Sequence, residues 1–132
     1  MFDPNSNILV VDDSISMRIA VIGLLKELGF QNFTEAGNGN QAFELVQSGK
    51  KFDLVLSDHN MPECTGLEFL KKFRAHDGCK SIPFLMVTSE TEKGIIVQAV
   101  QLGASNYVTK PVTKEALKAK LESTFARMVQ AK

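Results

Sequence analysis

The stretch Ile8-Leu9-Val10-Val11-Asp12-Asp13-Ser14 decides the fold. Four consecutive apolar residues fit a strand buried on both faces, because a half-exposed strand would alternate apolar with polar side chains. Such a strand needs helices above and below it, which implies a parallel sheet. Ser14 stands where it can cap the first of those helices.

The same pattern repeats outward along the chain. Met17, Val21, Leu24 and Leu28 fall at steps of four, three and four, which predicts a helix that Gly29 ends. Phe33–Ala36 is a weaker strand. Asn40–Gln47 is a helix with Ala42, Leu45 and Val46 inward and Gly49 as its stop. Asp53–Ser57 repeats the buried strand through Leu54-Val55-Leu56, and Leu67, Leu70 and Phe73 mark a third helix. Phe84–Val87 is a fourth strand, Glu92–Leu102 a helix ended by Gly103, and Tyr107–Thr109 a fifth strand. Leu117, Leu121, Phe125 and Met128 form the seam of the last helix. The expectation is α/β: a doubly wound, five-stranded parallel sheet with five helices, one domain over residues 1–132 with its core from about 7 to 128.

Composition narrows the function. The 132 residues carry 15 Lys+Arg and 15 Asp+Glu, and this zero formal charge argues against a nucleic-acid binder. No apolar stretch approaches the ~20 residues of a membrane span, and the N-terminus lacks a basic start and an apolar run, so a cytoplasmic location is expected. Cys64 and Cys79 have no metal-ligand spacing and read as reduced thiols; His59 and His76 are too isolated to suggest a metal site. The charge is unevenly spread. Residues 1–60 hold four Lys/Arg against eight Asp/Glu, and residues 113–132 hold five against two. An acidic first half suits a bound cation, and a basic last helix suits a partner face.

In doubly wound sheets ligands bind beyond the carboxyl ends of the strands. Strand one ends in Asp12-Asp13, strand three in Asp58, strand four in Thr88 and strand five in Lys110-Pro111. Each has a local alternative. Asp13 and Ser14 can cap a helix, Asp58 can cap the third helix or form an Asx-turn, and Ser89-Glu90-Thr91-Glu92 fits a capping box. Independent caps do not explain acid, acid, hydroxyl and amine at four core-strand ends. Carboxylates ~5 Å apart repel by about 3 kcal/mol per pair at an effective dielectric near 20, so the cluster calls for a cation. Hard oxygen donors suit Mg²⁺, which keeps several waters and prefers one or two carboxylates plus phosphate oxygens. Lys110 is expected to be too long and mobile to serve as a dedicated counter-ion for three acids, but able to reach an added anion. The chemistry that fits is phosphoryl transfer onto Asp58, with Thr88 and Lys110 binding phosphoryl oxygens.

With Asp12-Asp13, Asp58-His59-Asn60-Met61-Pro62, Thr88-Ser89-Glu90, Tyr107 and Lys110-Pro111 in that order, the chain resembles a two-component receiver domain, from about Asn7 to Met128. Val11-Asp12-Asp13-Ser14, Leu85-Met86-Val87-Thr88 and Gly103-Ala104-Ser105 are most similar to the single-domain chemotaxis receivers. The resemblance implies strand order 2-1-3-4-5 and makes Asp58 the phosphoacceptor, supplied by a CheA-like sensor histidine kinase. It implies Mg²⁺ bound by Asp12, Asp13, Asp58 and the Asn60 backbone carbonyl. It makes Thr88 and Tyr107 the switch pair, gives Asn60 and Glu90 the tuning of dephosphorylation, and implies a cis Lys110–Pro111 bond.

Further implications are a monomeric signalling protein rather than an enzyme, catalysing only its own phosphorylation and dephosphorylation, with a phosphatase as a possible further partner. Its output surface would be helix four, strand five and helix five, with Ile96, Val100, Tyr107 and Lys120, and its target the flagellar motor switch. A phosphorelay intermediate or phosphate sink would share the same site. Two residues depart from the family. His59 replaces the prototype's tryptophan, and Cys64-Thr65-Gly66 lacks the acid often found before the glycine.

Two other classes fit less well. A haloacid-dehalogenase-type phosphatase needs a second aspartate two residues after its nucleophile, where this chain has Asn60. A nucleotide- or flavin-binding module needs a phosphate loop after strand one, where Asp12-Asp13 would repel phosphate.

Overall fold

A computed structural model describes residues 2–89 and 93–130, apart from the Lys93 side chain. The elements alternate: β1 (Asn7–Val11), α1 (Ile15–Glu27), β2 (Asn32–Ala36), α2 (Gly39–Gln47), β3 (Leu54–Asp58), α3 (Gly66–Ala75), β4 (Phe84–Ser89), α4 (Lys93–Gln101), β5 (Asn106–Lys110) and α5 (Lys114–Gln130). All strand pairs are parallel, in the order β2-β1-β3-β4-β5. The sheet matches the sequence expectation, with β3 shifted one residue later and β4 extended to Ser89.

The central strands divide their side chains between two layers, as a pleat of period two requires. Leu9, Val11, Val55, Phe84 and Met86 pack against α2, α3 and α4 through Ala42, Val46, Phe69, Phe73 and Ala99. Ile8, Val10, Leu54, Leu56, Leu85 and Val87 pack against α1 and α5 through Val21, Leu25, Leu117 and Leu121. This two-sided burial is why those strands read as unbroken apolar runs.

Helix ends follow local chemistry. Ser14 caps α1, its hydroxyl accepting the Met17 amide at 3.3 Å. Asn38 caps α2 by accepting the Gln41 amide at 2.9 Å. Thr65 and Glu68 close a reciprocal capping box on α3 at 3.2 and 3.0 Å, so the cap of that helix is Thr65 rather than Asp58. The box expected at residues 89–92 reaches outside the described residues.

Two inward faces differ from expectation. On α1 the fully buried pair is Val21 and Leu25, while Met17, Leu24 and Leu28 are half-buried. On α3 Phe69 joins Leu70 and Phe73 in the core, and Leu67 is half-buried. No described helix is long and apolar enough to cross a membrane.

Candidate functional site

The chain passes from β1 to β2 on one side and then to β3 on the other, so the ends of β1 and β3 flank the point where strand order reverses. The register pairs Val11 with Ser57, which sets Asp12 and Asp58 side by side as the next residues. Asp58 pairs with Val87, placing Thr88 one step beyond it on β4, and Ser89 pairs with Lys110 on β5. Parallel pairing thus gathers the groups that the sequence scatters over about a hundred residues.

Asp12, Asp13 and Asp58 each offer a carboxylate oxygen, and these oxygens lie within 4.8 Å of one another. Asp12 and Asp58 are buried, and Asp13 is exposed at the rim. The Lys110 Nζ lies 2.9 Å from Asp58 Oδ1 and 3.9 Å from Asp12 Oδ2. The lysine therefore pairs with two of the three acids and not with Asp13. Leaving a desolvated carboxylate unpaired costs several kcal/mol, more than the roughly 2 kcal/mol needed to order a lysine chain.

The supporting shell fixes Asp12 closely. Its amide donates to the Ala36 carbonyl at 3.1 Å, and its Oδ1 accepts the Ser14 amide at 2.9 Å. The Arg18 Nη1 donates to the Asp12 carbonyl at 2.6 Å, while its Nε is held by Glu35 at 2.9 Å. Burial raises the Asp12 carboxyl above its ordinary range. The Ser14 amide opposes that shift, Asp58 adds to it, Lys110 opposes it, and Asp13 adds to it.

The loop after β3 returns tightly against the strand. The Gly66 amide donates to the His59 carbonyl at 3.0 Å, and a Cβ on Gly66 would lie 2.3 Å from the Asp58 carbonyl oxygen. Only glycine fits there. Cys64 is buried beneath the loop and packs on Gly39 at the start of α2; it and Cys79 are free thiols. Among the described residues the His59 Nδ1 is a buried polar atom without a hydrogen-bond partner.

The other expected site residues fall as follows. Thr88 is fully buried, Asn60 lies exposed in the loop after Asp58, and Tyr107 is half-buried near the middle of β5. Glu90 lies outside the described residues. The Lys110–Pro111 bond is cis. On the expected output face Val100 is 57% exposed and Ile96 half-buried, and Val97, which the sequence reading passed over, is as exposed as Val100.

The donor set fits a small hard divalent cation. Three oxygen anions converge, two of them held from behind by main-chain and lysine contacts, and the third is open to solvent. With a lysine at hydrogen-bond distance from a buried aspartate, the pocket suits an added anionic group.

Comparisons agree with the geometry. The response regulator receiver domain family matches residues 8–122. A chemotaxis protein CheY of Pseudomonas aeruginosa is 43% identical over 121 residues, covering 92% of this chain and 97% of that protein. The solved structure of chemotaxis response regulator CheY4 of Vibrio cholerae superposes with a TM-score of 0.82 at 35% identity, covering 91% of this chain and 98% of that one. The receiver domain of a Pseudomonas aeruginosa sensor histidine kinase, solved with a magnesium ion coordinated in its active-site cleft, gives a TM-score of 0.77 at 23% identity over 87% of this chain and 93% of that one. An acid cluster at the strand-order switch, a lysine paired to its central aspartate and a family match across most of the sequence lead to one conclusion: the chain belongs to the response regulator receiver family and is a two-component signalling protein of the chemotaxis type.

Proposed function

We propose that this protein accepts a phosphoryl group on Asp58 from a histidine kinase and thereby changes its affinity for an output partner, the flagellar motor switch. The observation that carries the reading is the Lys110–Asp58 contact of 2.9 Å inside a cluster of three carboxylates. A buried carboxylate beside an ammonium on a long side chain can take up an anionic group whose oxygens the ammonium then holds.

Asp12, Asp13 and Asp58, with the Asn60 carbonyl, would hold Mg²⁺, which when bound supplies positive charge against the phosphoryl oxygens. The rest falls to the chain. An Asp58 carboxylate oxygen attacks phosphorus, the bond to the donor histidine breaks, and the electron pair leaves with the imidazole. Lys110 moves from the carboxylate to a phosphoryl oxygen, and the Thr88 hydroxyl donates to another. Tyr107, two residues away from the Thr88 partner Thr109 on the neighbouring strand, follows as the reporting ring. Asn60 and Glu90 tune the attack of water that ends the signal.

The test is uptake of label from a small phosphodonor with Mg²⁺. Wild type is labelled and Asp58→Asn is not; labelling of Asp58→Asn to the same extent overturns the reading. Lys110→Ala still takes up label but no longer gains affinity for the motor-switch protein. If Lys110→Ala gains affinity as wild type does, the lysine has no part in switching.

A further inference from the structure

We infer that Lys120 is a positioning residue for Tyr107: its ammonium, seated on the ring face, holds the tyrosine in its resting place and so sets how readily the ring leaves it. The inference rests on the proposed reading of Tyr107 as the reporting ring, and deepens it.

The argument starts from the strand. β5 is the outer strand of the sheet, so one side of it has no neighbouring strand. Successive residues point to opposite faces. Asn106 turns towards α5, Tyr107 packs against the cluster under α4, and Val108 turns back to the α5 side. A ring at this open edge is not fully enclosed and needs something on its outer face.

Lys120 supplies it. The Lys120 Nζ lies 4.0 Å from the centroid of the Tyr107 ring, well inside the ~6 Å range of a cation–π contact. The turn of helix that carries Lys120 is tied to the same strand residue pair, which keeps the root of its side chain beside the ring. Asn106 is buried, and its Oδ1 accepts the Tyr107 amide at 2.9 Å. Its Nδ2 donates to Thr124 Oγ1 at 3.1 Å, Ser123 Oγ at 3.0 Å and the Lys120 carbonyl at 3.3 Å. The Thr124 hydroxyl donates to that same carbonyl at 2.6 Å. One asparagine therefore grips the backbone of the tyrosine with one end and the backbone of the lysine with the other. The backbones are fixed relative to each other, and the cation–π contact is the part of the arrangement able to open.

Two consequences follow. A ring that moves must leave the ammonium, so the contact weights the resting position. An acidic group on a partner that draws the ammonium away favours the moved ring by the same factor, since coupling between two sites is reciprocal.

The chain has one tyrosine and no tryptophan, so its intrinsic fluorescence reports this ring alone. In the unphosphorylated full chain, NMR is expected to show the Lys120 ε-methylene protons shifted upfield by the ring, and Tyr107→Leu to abolish the shift. Acrylamide is expected to quench Tyr107 about twice as efficiently in Lys120→Gln as in wild type, and Lys120→Arg, which keeps a cation, to restore the wild-type value. With Mg²⁺ and beryllium fluoride as a phosphoryl mimic, Lys120→Gln is expected to respond at roughly two- to fivefold lower fluoride complex than wild type or Lys120→Arg.

An ε-methylene shift that survives Tyr107→Leu, or quenching and mimic response identical in all three lysine variants, overturns the inference. A wild-type protein that ignores the mimic while keeping the shift and the quenching difference overturns the phosphoryl-receiver reading instead, and leaves Lys120 as the residue that holds the ring.

Discussion

Burial raises the Asp12 carboxyl above its ordinary value of 3.8; the Ser14 amide and Lys110 restrain the shift, while Asp58 and Asp13 enlarge it. A folded acid with a raised pKa holds its proton more tightly than the unfolded chain does. Between 3.8 and the raised folded value the native state therefore binds more protons, and stability falls as pH rises across that window, then levels off above it. In a chelator the urea midpoint of wild type should fall over this window, and Asp12→Asn should remove that slope. The variant should also be more stable at neutral pH, by on the order of 1 kcal/mol, since it retains an oxygen for the Ser14 amide and loses a buried charge. An Asp12→Asn slope equal to wild type would place the titration elsewhere. At this scale the acids were readable because they end apolar runs. The lysine's pairing was not, because it depends on how dry Asp58 becomes, and burial is a property of the packed molecule.

Among the elements, the turn from β3 into α3 is the most constrained. Gly66 begins α3 directly against the strand, and an added Cβ would meet the Asp58 carbonyl oxygen at 2.3 Å and the His59 Cα at 2.8 Å. Neither is a flexible side chain that can yield. Gly66→Ala should cost about 2 kcal/mol by overpacking and should slow phosphoryl uptake, because relieving the clash displaces Asp58 itself. Gly94→Ala on α4, where a Cβ meets nothing within 4 Å, is the matched control and should be tolerated. Equal melting temperatures for the two variants would show that the turn has slack. The Thr65-x-x-Glu68 spacing of a capping box is present in the sequence, although the reading offered Asp58 as the cap of α3; the close approach of Gly66 is tertiary and leaves no pattern. The face of α1 was harder to read for another reason. Ile15 and Ile19 are apolar yet 65% and 64% exposed, so the helix has no polar side to orient the periodicity.

Across the whole molecule, the end opposite the site is joined by Arg74. From α3 its guanidinium donates to the Gly103 carbonyl at 2.9 Å, the Cys79 carbonyl at 2.7 Å, the Ile82 carbonyl at 2.6 Å and the Ser105 hydroxyl at 3.4 Å. It thus ties α3 to the approach to β4 and the approach to β5. Burial lowers its pKa, and with no neutral form within reach it stays charged. Arg74→Lys keeps the charge but cannot span these acceptors, and should lose about 2–3 kcal/mol in denaturant titration while leaving Mg²⁺ binding intact. Loss of Mg²⁺ affinity in that variant would mean the two ends are coupled. Asn106 belongs with Arg74 as a residue the sequence reading missed. Arg74 works mainly through main-chain oxygens, and Asn106 through hydroxyls and a carbonyl of α5 that lie 14 to 18 residues away, which no side-chain motif records, although an asparagine at the start of a strand runs against strand preference and was a faint signal.

The hydrogen-bond acceptors of Arg74 are oxygens of uncharged groups, whereas the opposite edge is built from acids and an amine facing one another. Chelators therefore act on the edge that carries the acids, away from the Arg74 contacts. Charge can thus be added or removed at one pole of the sheet without touching the acceptors that join α3 to β4 and β5 at the other.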